Sequence, residues 1–439
     1  MLGAGYREGV LWHEGVDPVA AGLDRPSAPR APSQVDVVVV GAGYCGLSAA
    51  IELARRGRSV VVVDRHDLGW GASSRNGGMV IPELKAGPRT LEARYGPLGL
   101  RLHHEVEAAF DHIESLVGVA PSAEPPDGLT PIECDYERSG QLYLTHGRRG
   151  AAALRKLVDE HRSTGGDARL VTGDELVAEA GSTLFAAGMV VERTGGLHPA
   201  RLHAGLVERA RAAGVMLFPN TPAISIGSAG EGAHLVRTRR GEICAAEVFL
   251  ATNAYADEVD PVLRDRVLEM DSFIIATEPL DPELASTVLP TRRMAFNDRN
   301  LLWYWRHGPD GRLLFGGRRS LGRVGLAEAR DHLYASMLLA HPQLAGTRVD
   351  RVWGGKVALT LDRLPHCGRI DRRWYATGCN GSGVALNTWM GHRMAGAICG
   401  EPLPPFAEVR HRPIPLRRLQ RAWLPVVGEW FRAQDRLDR

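Results

Sequence analysis

Three glycines and one acid stand in an order suited to phosphate and ribose chemistry. Gly41, Gly43 and Gly46 make a GxGxxG pattern within GAGYCG, with Tyr44 and Cys45 between the second and third. Asp64 follows Gly41 by 23 residues, and Arg65 comes next. In such a unit the first glycine permits a tight turn, the second admits a pyrophosphate close to the backbone, and the third lets helix and strand pack closely. The acid accepts hydrogen bonds from a ribose diol. The chemistry implied is the holding of a dinucleotide, although a bare GxGxxG has little weight unless the flanking elements agree.

They do agree. Val35–Val40 reads VDVVVV, a short β-branched run of the kind buried on both faces of a parallel sheet. After the glycines, Leu47, Ala50, Ile51 and Ala54 recur at helical spacing, and Gly57 stands where a left-handed cap belongs. Ser59–Val63 supplies a second strand that ends at Asp64. Strand, turn, helix, strand and acid in register predict a βαβ unit whose helix N-terminus faces phosphate, rather than an ordinary glycine-rich turn.

The pattern does not separate NAD from FAD; later segments do. GWGASSRNGG at Gly69–Gly78 is a small-residue stretch that can run beside a flavin ring, with polar contacts from Ser73, Ser74, Arg75 and Asn76. Trp374–Gly400 reads as strand, glycine-rich turn and helix, and Glu247–Ala256 as a strand closing on small residues.

Together these features resemble the D-amino acid oxidase superfamily of FAD enzymes. GWGASSRNGG, IIATEPL at Ile274–Leu280 and WGGKVALTLDRLPHCGR at Trp353–Arg369 look like its γ-glutamylputrescine oxidase branch. The resemblance implies that Gly41, Gly43, Gly46 and Asp64 hold the ADP half of FAD. It places Ser74, Arg75, Asn76, Gly77 and Gly78 against the isoalloxazine, with Ala72 and Ser73 also expected to bind the cofactor. Gly378, Asn380, Gly381, Ser382, Gly383 and Val384 fall at the pyrimidine edge, where a helix starting near Gly383 points its positive end at charge developed on reduction. Ser382 and Asn380 can equally cap that helix. Where many relatives have Ala-Thr-Gly, this chain has Ala251, Thr252 and Asn253, and Asn is the next best residue for unusual dihedrals. In relatives with flavin bound covalently to cysteine, that cysteine aligns near Gly355, so the FAD here is expected to be noncovalent.

The 439 residues exceed what one core normally supports and suggest two domains. The expected fold is α/β: a Rossmann-type FAD-binding domain from 35–135, 192–266 and 340–400, with an inserted β-rich α+β substrate domain from 136–191 and 267–339. Residues 1–34, rich in Gly, Pro and Ala, read as an extended leader on the surface, and 401–439 as an extension. The Arg-rich Arg410–Arg439 reads mainly as solvated and partly helical, with membrane or partner contact as the alternative. A net charge of +2 gives no reason to expect a nucleic acid partner. None of the cysteines has CxxC or Cys/His spacing, so neither a metal site nor a disulfide framework is indicated and a reducing, cytoplasmic setting fits. No apolar run approaches the roughly 18 residues of a membrane span.

Asn300–Gly317 predicts two strands joined by a Pro-Asp-Gly turn, with Trp303, Tyr304 and Trp305 split between faces. Trp303 and Trp305 are candidates for a substrate wall, or else ordinary sheet packing. Of 53 basic residues only Lys85, Lys156 and Lys356 are lysines. Lys356 or Lys85 can stand near the ring and assist electron transfer to oxygen, or can be solvated. Arg318 or Arg319 is placed to clamp a substrate carboxylate bidentately. The expected activity is oxidation of a small amine or amino acid to an imine by hydride transfer to flavin N5, with molecular oxygen reduced to peroxide. The alternatives are a dehydrogenase feeding a quinone or carrier, and a noncatalytic FAD-binding regulatory protein. With Gly355 in place of a thiol, acid precipitation of the holoprotein is expected to leave all flavin in the supernatant; a yellow pellet would overturn the noncovalent reading.

Overall fold

Uninterrupted β-branched runs leave no face for water, and Val37–Val40 and Val60–Val63 are accordingly buried on both sides. The computed structural model describes residues 6–16, 21–119, 130–230, 232–256, 259–308 and 310–437. Gln34–Val40 lies between Val60–Val63 and Gly241–Leu250 and is parallel to both. Met216–Phe218 continues the sheet beyond Val60–Val63, and Arg373–Thr377 pairs in parallel with Phe249 and Leu250. Strands therefore leave this sheet along one edge at Gly41, Asp64, Ala251 and Gly378. Ligands of α/β sheets bind at this edge, beyond the carboxyl ends of the strands.

Helix α1 (Tyr44–Arg55) buries Leu47, Ala50, Ile51 and Leu53 against the sheet and ends ahead of Gly57, whose φ of +80° is the expected left-handed turn. Helix α2 (Gly383–Ile398) crosses α1 so closely that a side chain at Gly391 would strike the Cys45 carbonyl. Both helices begin at the carboxyl edge of the sheet.

Among the described residues the second sheet has nine strands, running from Arg7–Glu8 at one edge through Val349–Leu359, Leu268–Pro279, Arg312–Gly317, Trp303–His307, Met294–Asn297, Gln141–Thr145 and Ala187–Val191 to Arg169–Val171. The hairpin of Trp303–His307 and Arg312–Gly317 forms as expected, with Gly311 at φ +80°; Pro309 of its turn lies outside the described residues. Val349–Leu359, expected within the dinucleotide-binding part, instead pairs along Leu268–Pro279. Its Gly355 brings that strand's backbone up to the Arg75 side chain, and the Gly354 carbonyl accepts from the Arg75 guanidinium at 3.0 Å.

Two further expectations are corrected. Trp303 and Trp305 do not wall the site: they are 3% and 0% exposed, in a core with Phe273, Phe315, Leu333 and Met337. Strand alternation sends Tyr304 to the opposite face. Nor is the segment 6–16 wholly a surface leader: most of it is exposed, but Leu11 and Trp12 are buried. Arg7–Glu8 pairs with Val349–Leu359, and Trp12, 1% exposed, packs with Ile274, Leu314 and Trp353. Two strand residues and one 3-10 turn carry no periodicity, so nothing in the sequence marks this docking.

Helix α3 (Gln420–Leu437) rests on the segment after Arg318, with Gly428 against Leu321. No helix among the described residues is long and apolar enough to cross a membrane. Trp305→Ala is expected to cost about 3–5 kcal/mol in denaturant unfolding through cavity creation, while the folded variant keeps the wild-type flavin spectrum. Unchanged stability with an altered flavin spectrum would return Trp305 to the site.

Candidate active site

A cavity of about 470 Å³ runs between the sheets, from Val40 and Asp64 at one end to Tyr304 and Arg318 at the other. At the first end Gly41 has φ +106°, a conformation that favours glycine, and a Cβ there would lie 2.9 Å from the Ala251 carbonyl oxygen. Gly46 does not reach the cavity. It abuts the Gly41 carbonyl, with no room for a side chain, which is the close helix–strand contact the motif predicts.

Asp64 Oδ2 accepts the Ala42 N–H at 2.8 Å and Oδ1 the His66 N–H at 3.0 Å. Burial pushes its carboxyl above the ordinary carboxylate range, against the pull of these two donors. The Tyr44 N–H, first of α1, donates to Ser73 Oγ at 3.0 Å, tying the first glycine loop to the second. The next N–H groups of that turn have no helical acceptor and face the cavity through Cys45. His203 holds the same loop from below, with Nε2 2.7 Å from the Ala42 carbonyl oxygen; burial lowers its pKa to about 4, so it is neutral.

The Gly69–Gly78 loop forms the middle of the cavity. Ala72, Ser73, Arg75, Asn76 and Gly77 line it, as does Arg65 nearer the ribose end. Ser74 and Gly78 do not. Ser74 is 2% exposed and donates to the Gly69 carbonyl, and Gly78 donates its N–H to Asn76 Oδ1 at 2.8 Å. These two shape the loop. Its outward carbonyls are taken by distant side chains: Arg75 by Trp353 Nε1 at 2.8 Å, Asn76 by Trp12 Nε1 at 2.8 Å, and Gly77 by Arg306 Nε at 2.9 Å.

Opposite, Ala251, Thr252 and Asn253 line the cavity together with Asn380, Gly381, Ser382, Gly383 and Val384. Asn253, the departure from the family pattern, sits at φ +46°, and its Oδ1 accepts the Gly378 N–H at 3.0 Å. It therefore supplies a backbone shape and a clamp where glycine supplies only the shape. Neither expected cap forms on α2. Ser382 occupies the cap position without a side-chain bond, and Asn380 Oδ1 accepts the Thr360 N–H at 3.1 Å. The first-turn N–H groups of α2 are left facing the cavity.

At the far end Tyr304 packs over Gly77 and its hydroxyl lies 3.1 Å from Ser272 Oγ. Arg318 lines this end with its Nε unpartnered, and burial lowers its pKa. Glu83 and Lys85 line it too, and desolvation raises the Glu83 carboxyl. Lys356 also borders the cavity, but its ammonium is committed to Glu269 at 2.5 Å. Sequence reasoning missed His203, Trp12, Glu83 and Tyr304. Only Tyr304 had a signal, since alternation places it opposite its tryptophan neighbours.

The cavity fits a dinucleotide joined to a flat ring: two helix N-termini without side-chain caps, a buried acid at the ribose end, and glycines wherever a Cβ would intrude. The description "FAD dependent oxidoreductase" (DAO) matches residues 36–397. The chain belongs to that family. Gamma-glutamylputrescine oxidoreductase of Escherichia coli is 30% identical over 413 residues, covering 92% of this chain and 93% of the relative. A probable oxidoreductase, OrdL, of Haemophilus influenzae is 31% identical over 373 residues, 83% of each chain. Glycine oxidase from Geobacillus kaustophilus superposes with a TM-score of 0.70 at 21% identity, over 87% of this chain and 100% of that one. The protein is an FAD-dependent oxidoreductase with a glycine-oxidase-type fold. In this FAD enzyme Asp64 and the α1 terminus suit the ADP half, while Arg75–Gly77 and the α2 terminus suit the ring.

Replacing Asp64 by Ala removes the buried acceptor, and Gly43→Leu drives a side chain at Ser73 Oγ, 2.9 Å from an ideal Cβ. Each is expected to weaken FAD binding about 10–100-fold and to yield mostly apoprotein of native circular dichroism. Full flavin content in both variants would remove the ADP site from this end.

Proposed function

We propose that this FAD enzyme is an amine oxidase whose substrate carries a carboxylate as well as the oxidised C–N bond, with oxygen reduced to hydrogen peroxide. The observation that carries the reading is Arg318, a half-buried cation lining the cavity whose Nε is buried and unpartnered. A guanidinium so placed binds a carboxylate through charge-assisted, bidentate bonds. The relatives named gamma-glutamylputrescine oxidoreductase and glycine oxidase support a substrate of the amine or amino acid class.

Bound FAD supplies the hydride acceptor. The residues of the chain do the rest. Arg318 would anchor the carboxylate and so fix the distance of the reacting carbon from the Arg75–Gly77 edge. Tyr304 packs its ring edge on Gly77, and its hydroxyl, 3.1 Å from Ser272 Oγ, can accept or donate at the amine. Glu83, its carboxyl pushed up by burial and bonded by Gln141, offers a second acceptor for an ammonium entering with its proton. No carboxylate dyad or metal cluster is required, and none of the latter occurs among the described residues. Lys356 is not assigned to oxygen activation, because Glu269 already neutralises it. A soluble enzyme in a reducing, cytoplasmic compartment accords with the unpaired cysteines.

Anaerobic mixing with a panel of amines, with and without a carboxylate, is the direct test. Flavin absorbance at the oxidised band should fall only with amines, faster as pH rises and the amine loses its proton, and air should restore it with peroxide. Reduction by glycerol phosphate with silence toward every amine would sink the reading, while recovery with a quinone but not air would make the enzyme a dehydrogenase. Arg318→Met is expected to raise KM about 10–100-fold for carboxylate-bearing amines and to spare simple amines. Equal losses for both kinds would show that Arg318 does not read the carboxylate.

A further inference from the structure

We propose that α3 and the residues leading into it form a docking surface for an anionic membrane, on which the helix lies flat. Leu416, Leu419, Val426 and Trp430 are 69%, 58%, 68% and 57% exposed. Leu419, Trp423, Val426 and Trp430 follow one another at helical spacing and share one side of the rod. Trp423 Nε1 donates to the Leu416 carbonyl at 3.2 Å, and Leu416 is held at φ +51°, which is uncommon for a leucine, with its side chain in solvent.

The stripe is not waiting to fold onto this chain, because the other side of the helix already does so. Leu424 and Gly428 face inward, Asp435 accepts the backbone N–H groups of Asn300 and Leu301 at 2.9 and 3.1 Å, and Arg432 donates to the Arg319 carbonyl at 2.9 Å. The helix is therefore anchored with its apolar side outward.

Charge selects the occupant. From Val409 to Arg439 the sequence holds eight arginines and three acids, whereas the whole chain has a net charge of only +2, so the remainder is net negative. Arg410, Arg412 and Arg418, in the segment leading into the helix, are exposed. An apolar stripe of Trp, Leu and Val flanked by arginine suits a helix lying in the plane of a membrane interface, and an anionic leaflet draws such a segment. A second copy would set like charge against like and is the poorer partner for this face.

The test uses full-length holoprotein sedimented with phosphatidylcholine vesicles and with vesicles that also contain phosphatidylglycerol. Binding is expected only to the anionic vesicles and should weaken with added salt. The double variant Val426→Ser, Trp430→Ser, whose side chains face solvent, should keep its flavin and lose about tenfold in vesicle affinity. Absence of vesicle binding, equal binding to neutral vesicles, or undiminished binding by the double variant overturns the proposal. So does self-association that the double variant abolishes while vesicle binding is lacking.

Discussion

Three carbonyls in a loop of irregular backbone hold this enzyme together. Arg75, Asn76 and Gly77 belong to no strand, and a buried carbonyl left without a partner costs about 1–3 kcal/mol. Each is satisfied from elsewhere: by Trp353 of the second sheet, by Trp12 of the first described segment and by Arg306 of the hairpin. The loop is thus fixed from its outer side by the second sheet, while Ser73 fixes it to the α1 terminus of the first. Both sheets meet at this loop, and the cavity exists because its inner side is what remains.

The same arithmetic governs the opposite wall. The turn from Gly378 to Gly383 must pass between Thr360 and the strand end at Ala251 without obstructing the cavity. Asn253 and Asn380 both adopt left-handed backbone and spend their amides on neighbouring backbone groups, on Gly378 and Thr360. Their side chains are thereby withdrawn from α2, whose N–H groups stay free for a ligand. A cap formed by either would have closed that end of the site.

This division explains what the sequence disclosed. The βαβ unit is local: strand, glycines, helix and acid lie within 35–64, and each position has a steric reason visible in residue type. The Gly69–Gly78 loop was legible as a small-residue segment, but its partners lie up to 278 residues away and are single tryptophan or arginine side chains. No periodicity reports such contacts. Trp303 and Trp305 show the converse case. Alternation was correctly read, yet which face is core depends on the helix Leu326–Ala340 covering it, through Leu333 and Met337. That requires knowing the sheet order, and Val349–Leu359 joining the second sheet could not be inferred from its own pattern.

Three cations in and beside the cavity separate by partner rather than by position. Arg306, outside the cavity lining, is buried with its pKa lowered to about 10; it donates to the Gly77 and Leu197 carbonyls and works as a strut. Lys356 borders the cavity but is neutralised by Glu269, which Arg417 also bonds at 2.9 Å. Arg318 has burial without such compensation. Withdrawing a guanidinium from water is expensive unless an anion or a set of acceptors replaces the solvent. Among these three, Arg318 is the one whose stabilisation a ligand would complete.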